Sequence, residues 1–280
     1  MPYTCSRAGI LHDSASTGRI SLLMTRSTRV DIIRSTSEQT RDEVAVEEPL
    51  EIRVGDRPLS VTLRTPGDDA ELATGFVITE SVVKNHADIA EVRHWGSPNV
   101  VRIALKDGIS VDWQRLQRHF YATSSCGVCG KTSIDALRTQ SRAIASDVRL
   151  SAKTLIGLPA RLREEQQTFD ATGGLHAAAA FTADGQLLSA REDVGRHNAV
   201  DKVIGSLLRE SSAAPAVMML SGRAGFELIQ KAVVARIPIV AAVGAPSSLA
   251  VELAREMNVT LIGFLRDGRY NVYSGEQRVV

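Results

Sequence analysis

Cys126 and Cys129 stand three apart in Ser124-Ser125-Cys126-Gly127-Val128-Cys129-Gly130-Lys131, in a chain of 280 residues with only one other cysteine, Cys5. Two thiols at this spacing can switch between dithiol and disulfide, supply half of a zinc site, or carry sulfur as a persulfide. The tetrapeptide alone leaves all three open. The flanking glycines permit an exposed, travelling loop, and Lys131 favours the thiolate electrostatically. A second set of residues points to an anion. Ser221-Gly222-Arg223-Ala224-Gly225, Gly244-Ala245-Pro246-Ser247-Ser248 and Arg266-Asp267-Gly268-Arg269 combine glycines that let backbone amides approach a ligand, serines placed to cap a helix, and arginines that grip phosphate. Gly, Ser and Pro also simply make turns, so any one of these loops admits the blander reading. Neither a Walker A motif nor a G-x-G-x-x-G occurs. A third cluster, Arg191-Glu192-Asp193-Val194-Gly195-Arg196-His197-Asn198, is denser in polar groups than a helix start needs, although a solvated loop capped by Asn198 is the alternative. His176 heads an apolar run, where a hydrogen-bonded core histidine is the ordinary outcome.

The elements that must position these residues follow from hydrophobic patterning. Residues 1–40, rich in Ser, Thr and Arg, show neither helical nor strand periodicity and read as a disordered leader. From 41 to 110 the pattern is strand-rich. Val44–Val54 and Leu59–Leu63 flank a Gly55-Asp56 turn as a hairpin, a helix opens after Pro66 and runs to about Val83, and strands follow near Ile89–Trp95 and Val100–Leu105. From 111 to 280 strands alternate with helices. Helices near Trp113–Phe120 and from Ser133 bracket the cysteine loop, and His176–Thr182 pairs with Gln186–Ala190. Val200, Val203, Ile204, Leu207 and Leu208 share one helical face, as do Leu249, Leu253 and Met257. Val217–Leu220, Ile237–Val243 and Val259–Leu265 read as buried strands. The fold class is therefore α/β, a sheet with flanking helices preceded by a smaller strand-rich part, with ligands expected in the loops beyond the carboxyl ends of the strands.

Composition sets outer bounds. With 44% hydrophobic and 23% charged residues the chain buries a sizeable core, and a net charge of +1 makes no general case for nucleic acid or membrane as partner. No run approaches the roughly 18 apolar residues of a spanning helix, no secretory signal opens the chain, and three cysteines make no disulfide framework, so a reducing, cytoplasmic setting is the expectation.

Taken together, Cys126-Gly127-Val128-Cys129-Gly130, Thr172-Gly173-Gly174-Leu175-His176-Ala177-Ala178, Arg191–Lys202 (REDVGRHNAVDK), Ser221-Gly222-Arg223 and Gly263-Phe264-Leu265-Arg266 resemble, in order and spacing, the FdhD family, the sulfur carriers required for formate dehydrogenase activity. The resemblance runs from about residue 40 to the end. It implies a cytidine-deaminase-like sheet, a homodimer, and a sulfurtransferase-type carrier that takes sulfane sulfur from a cysteine desulfurase. The recipient would be the molybdenum bis(molybdopterin guanine dinucleotide) cofactor before its insertion into formate dehydrogenase, with no structural metal in the carrier itself. By position, Cys126 would bear the persulfide and Cys129 would assist, resolve or hold a second sulfur. Phe264, Leu265, Arg266, Asp267, Gly268 and Arg269 would form the cofactor-binding stretch. Loop position adds His176, Asp193, Arg196, His197, Asn198, Ser221, Gly222 and Arg223 to the ligand site.

Readings of other classes are a dithiol oxidoreductase, a cofactor-binding chaperone without sulfur transfer, a structural zinc site and a zinc-dependent deaminase. Against the oxidoreductase, Tyr121–Ser125 is too small and polar to be the buried strand that precedes a thioredoxin cysteine pair. Against the deaminase, Ser125 stands where P-C-x-x-C needs proline, and His176-Ala177-Ala178 lacks the glutamate of H-x-E and follows the cysteines instead of preceding them.

Overall fold

Residues 25–114, 116, 141–210 and 213–280 are described by the structure, a computed structural model. Cys5, Cys126 and Cys129, the loop expected to hold the pair, and most of the helices expected on either side of it lie outside the described residues.

Strands β1 (Ser27–Ile33) and β2 (Gln39–Ala45) form an antiparallel ribbon. The reading of residues 1–40 as a leader without structure is thereby corrected from Ser27 onward, while residues 1–24 lie outside the described residues. The ribbon is exposed along most of its length, so it has no apolar stripe for local periodicity to reveal. Its support is non-local: Val46 N–H donates to the Arg26 carbonyl, and Arg26 pairs with Asp68.

The smaller sheet has strand order β4-β3-β6-β5, built from β3 (Glu48–Val54), β4 (Arg57–Arg64), β5 (Ile89–Trp95) and β6 (Ser97–Leu105). The β3–β4 hairpin turns at Gly55-Asp56, with Gly55 at φ 59°. Helix α1 (Asp69–Thr79) lies on one face of it, Leu72, Val77 and Ile78 sharing a core with Leu50, Ile52, Val101 and Ile103. The helix stops short of the expected Val83 because Ser81 turns the chain at φ 55°, while Val82 and Val83 still bury their side chains.

The larger sheet runs β12-β11-β10-β9-β7-β8, from β7 (His176–Phe181), β8 (Leu187–Asp193), β9 (Val217–Leu220), β10 (Ile239–Ala242), β11 (Thr260–Arg266) and β12 (Arg269–Ser274). β9, β10 and β11 are parallel; the other pairings are antiparallel. Alternation along the strands divides the core in two. Ala178, Ala180, Met218, Leu220, Val240 and Ala242 face helices α4 (Arg196–Glu210), α5 (Phe226–Val234) and α6 (Ser248–Glu256). Ala177, Ala179, Phe181, Met219, Ile239 and Ala241 face α2 (Ala152–Glu164), whose Leu155, Leu158 and Leu162 form its buried stripe. A short α3 (Gln167–Thr172) follows. Sequence patterning left α2, α3 and α5 unassigned. In α2 the interior Pro159 interrupts a helical reading, yet Ser151 caps the helix by accepting from Thr154 N–H at 3.0 Å. Among the described residues no helix is long and apolar enough to cross a membrane.

The two sheets are joined where α1 crosses α4. A Cβ on Gly75 would lie 1.9 Å from the Asp201 carbonyl oxygen, and one on Gly205 would lie 1.9 Å from that of Glu71. The two contacts are one turn apart on each helix and in opposite order, so the helices run antiparallel with their main chains in direct contact.

Candidate functional site

The polar motif 191–202 divides into residues that look inward and residues that look outward. Arg191 is bidentate on Glu71, at 2.6 and 2.8 Å. Glu192 accepts from the first-turn amides of Thr168 and Phe169 and so caps α3 from a distance. Asp193, wholly buried, accepts from Thr65 N–H, Gly195 N–H and Asn198 Nδ2, and pairs with Lys202 Nζ at 2.7 Å. Asn198 donates to the Leu63 carbonyl and accepts from Thr62 Oγ1. Lys202 also donates to the Thr65 carbonyl. Asp201 joins Thr79 and Lys231. Burial alone would pull Lys231 down, but the carboxylates of Asp201 and Glu80 outweigh it and hold the ammonium above the ordinary lysine value. Asp193 and Asn198, placed in the ligand site by loop position, therefore spend their polar atoms fastening α4 to the end of β4. They are not brought to open space.

Arg196 and His197 do reach the carboxyl edge of the larger sheet. In the antiparallel register His176 pairs with Asp193, and Ala178 pairs with Leu220, so the ends of β8 and β9 flank the start of β7. His176, His197, Arg196 and Arg223 are thereby assembled on one edge. Burial and the positive charges of Arg196, His197 and Arg223 hold the His176 pKa below the ordinary histidine value, against the opposing pull of Asp193. Ser221 Oγ accepts from Ala177 N–H at 2.8 Å, locking the loop after β9 to β7. His197 Nε2 lies 3.8 Å from Glu227, beyond hydrogen-bond reach, and is buried without an acceptor. Burial would push the Glu227 carboxyl up, but His197, its own backbone amide and Arg196 outweigh it and hold it below the ordinary glutamate value. A depressed carboxyl stabilises the fold above the unfolded-state pKa, and that contribution is lost as the pH falls through the folded-state value. Replacing His197 by Ala is expected to raise the Glu227 midpoint, followed through its carboxylate carbon by NMR across an acid titration. An unchanged midpoint would show that His197 does not set it.

The loops after the three parallel strands are laced together. Gly244 N–H donates to the Gly222 carbonyl, Phe264 N–H to the Gly244 carbonyl, and Ser247 N–H to the Ala224 carbonyl. A Cβ on Gly263 would come within 2.8 Å of Pro246 Cδ, so glycine is required for that approach. The β11–β12 pairing shifts register between Gly263 and Arg266. At the shift, Phe264 sits at φ 54°, the residue 37% exposed and the Arg266 guanidinium 6.0 Å from its ring centroid. A left-handed aromatic residue is a conformation that persists only where its surroundings impose it.

Beside these loops lies a pocket of about 670 Å³, within the usual range for small-molecule sites. Of the residues expected in the ligand site, His176, Ser221, Gly222, Leu265, Arg266 and Asp267 line it. Phe264, Gly268 and Arg269 stand outside its lining, on the bulge and the following turn, and so do Arg196, His197 and Arg223, although all three act electrostatically on His176. The opposite wall was not anticipated: Pro159, Leu162, Arg163, Gln166 and Phe169 come from α2 and α3, with the Arg163 guanidinium 4.6 Å over the Phe169 ring. The available signal was the Leu155, Leu158, Leu162 spacing, which marks a helix but not the pocket its far end lines. Among the described residues no three His, Cys, Asp or Glu side chains gather as a metal site.

Comparisons with known proteins fit this geometry. A crystal structure from Desulfotalea psychrophila, described as a formate dehydrogenase accessory protein, superposes with a TM-score of 0.75 over 92% of this chain and 100% of that one, at 24% identity, and so supports the fold. Proteins named sulfur carrier protein FdhD are similar at 48% identity over 270 residues in Streptomyces coelicolor (91% of this chain, 96% of the relative). The corresponding figures are 48% over 256 residues in Mycobacterium tuberculosis (86% and 93%) and 42% over 251 residues in Sulfolobus acidocaldarius (89% and 94%). Residues 45–280 match the family model described as FdhD/NarQ, and the chain belongs to the FdhD/NarQ family.

Proposed function

We propose that this protein is a sulfur carrier for the maturation of formate dehydrogenase. Cys126 takes sulfane sulfur from a cysteine desulfurase and passes it to the molybdenum bis(molybdopterin guanine dinucleotide) cofactor, which is the substrate held at the carboxyl edge. In the loading step the Cys126 thiolate attacks the outer sulfur of the desulfurase persulfide. One S–S bond forms as another breaks, the desulfurase cysteine departs as thiolate, and no external oxidant or reductant enters. The reading is that of a sulfurtransferase in chemistry and an accessory protein in role, working in the cytoplasm as a homodimer. The larger sheet is taken as cytidine-deaminase-like, a reading supported by its order β8-β7-β9-β10-β11, an antiparallel hairpin followed by three parallel strands.

The observation that carries the proposal is the meeting of His176, Ser221, Gly222 and Arg266 around one pocket, beside three glycine-bearing loops at the strand ends. Backbone amides, a ring nitrogen and a guanidinium are the donors an anionic nucleotide cofactor requires. The test is intact mass of the full chain after incubation with an active desulfurase and cysteine. A reductant-labile gain of sulfur is expected in the wild type and in Cys129→Ala, and its absence in Cys126→Ala. No gain in the wild type would favour a dithiol oxidoreductase or a chaperone that binds the cofactor without transferring sulfur.

Cys129 has a second consequence for the loaded protein. Its thiolate can attack the inner sulfur of the Cys126 persulfide, expelling hydrosulfide and leaving a disulfide, an unproductive discharge. Cys129→Ala is expected to release sulfide more slowly than the wild type once loaded. Equal rates would remove Cys129 from the discharge path.

A further inference from the structure

The β1–β2 ribbon belongs to neither sheet, and one of its edges is open. At its two ends Val46 N–H donates to the Arg26 carbonyl and Arg34 N–H to the Glu38 carbonyl. The register between them is unbroken, so Thr28, Val30 and Ile32 turn their main-chain groups toward β2 while Ser27, Arg29, Asp31 and Ile33 turn theirs away. Among the described residues no hydrogen bond meets those outward groups. The ribbon's other edge is occupied. Glu43 N–H is taken by Asp42 Oδ1 at 3.0 Å, and β2 packs on α3 at the wall of the pocket, where a Cβ on Gly174 would stand 3.6 Å from that of Ala45. Open edges are ordinarily blunted by lysine, proline or a bulge. β1 has none of these; Thr28, Val30, Ile32 and Ile33 supply four β-branched positions among its 7 residues, with Ile33 72% and Val30 37% exposed. Its two charges, Arg29 and Asp31, are opposite in sign and stand on either side of Val30. Asp31 pairs with Arg41 in the open, and Arg29 forms no salt bridge among the described residues.

We infer that β1 pairs edge to edge and antiparallel with β1 of a second copy of this chain, the two-fold axis passing through Val30. The inference rests on the homodimer proposed above and gives it a surface and a register. Val30 then meets the partner's Val30, Arg29 meets the partner's Asp31, and Asp31 meets the partner's Arg29. Opposite charges directly across a strand pair stabilise it, and like charges do the reverse. Moving the axis by one residue either way sets Asp31 against the partner's Asp31, or Arg29 against the partner's Arg29, so the charges select one register. A contact in which each strand offers the other the same surface is the isologous kind that closes as a dimer. Joined in this way, the two ribbons make one continuous sheet that braces α3, and with it the pocket wall, in both copies.

The test is sedimentation velocity of the full chain over a range of concentrations, on the wild type, Arg29→Asp, Asp31→Arg and an equimolar mixture of the two variants, with thermal melting as the check on folding. Each variant alone sets like charges across both pairs and is expected to weaken its dimer about tenfold. The mixture restores opposite charges at both pairs of the heterodimer and is expected to associate nearly as the wild type does. Asp31→Arg also loses Arg41 within its own ribbon, a loss the mixture retains, so rescue by mixing reads only the contact between copies. A second readout is disulfide cross-linking under a mild oxidant. Val30→Cys is expected to give a linked dimer above the wild-type background, because the two positions face each other as a close, non-hydrogen-bonded pair. Ile33→Cys, more exposed but facing the partner's Ser27, is not. A wild-type dimer matched by both charge variants would overturn the pairing and keep the homodimer, whereas a wild type monomeric throughout would overturn both. Persulfide loading is read separately and decides the carrier reading alone.

Discussion

Gly205→Ala is expected to lower the urea midpoint of unfolding steeply, by an amount equivalent to roughly 3 kcal/mol, the upper end of the cost of overpacking. The new methyl carbon would lie 1.9 Å from the Glu71 carbonyl oxygen, well inside contact distance, and the obstacle is main chain of a helix, which has no rotamer to change. Only separation of α1 from α4 relieves it. Separation would strip burial from Leu72 and Val77 on one side and loosen Arg191–Glu71 and Asp201–Thr79 at the same crossing. Gly75→Ala should behave alike, because its methyl would meet the Asp201 carbonyl at the same distance. An unchanged midpoint in both variants would mean that the helices do not cross on their glycines. Gly157→Ala, a half-buried helical position where an added Cβ meets nothing within 4 Å, is the control expected to stabilise slightly.

Lys202→Met is expected to cost about 3–5 kcal/mol, the range for removing one partner of a buried ion pair. Both side chains of the Lys202–Asp193 pair are fully buried at 2.7 Å, so the substitution leaves a carboxylate without its counter-charge where water cannot reach. Asp193 keeps three donors in Thr65, Gly195 and Asn198, but these were already in use. The double variant Lys202→Met, Asp193→Asn removes the stranded charge and should recover part of the loss in the same urea titration. A double variant as unstable as the sum of the singles would show that the pair is not coupled.

Legibility from sequence followed burial pattern. The β3–β4 hairpin, β5 through β9 and the three parallel strands each carry their own signal, a glycine turn or a continuous apolar run. The β1–β2 ribbon was missed because it buries no side chain fully, and its order comes from Arg26, Asp68 and the chain opposite. α5 was missed because its apolar positions Leu228, Ile229, Ala232 and Val233 follow a glycine loop and merge with the apolar run beginning at Ile237. At the site, residue type identified which loops matter but not which way each side chain faces. Arg196 and His197 turn to the edge, whereas Asp193 and Asn198, equally polar and within five positions, turn to Thr62, Leu63 and Thr65. Their partners lie about 130 residues upstream in the chain, a distance no local pattern spans.

The inward half of REDVGRHNAVDK has a consequence for how relatives of this chain should be assigned a role. Glu192, Asp193, Asn198, Asp201 and Lys202 serve assembly, so selection for a foldable chain alone would retain them. A descendant that lost Cys126 and every trace of sulfur transfer would still need most of the motif to seat α4 on β4. Retention of the motif therefore reports that the scaffold is intact. Whether such a relative still performs the chemistry has to be read elsewhere, above all from its cysteine pair.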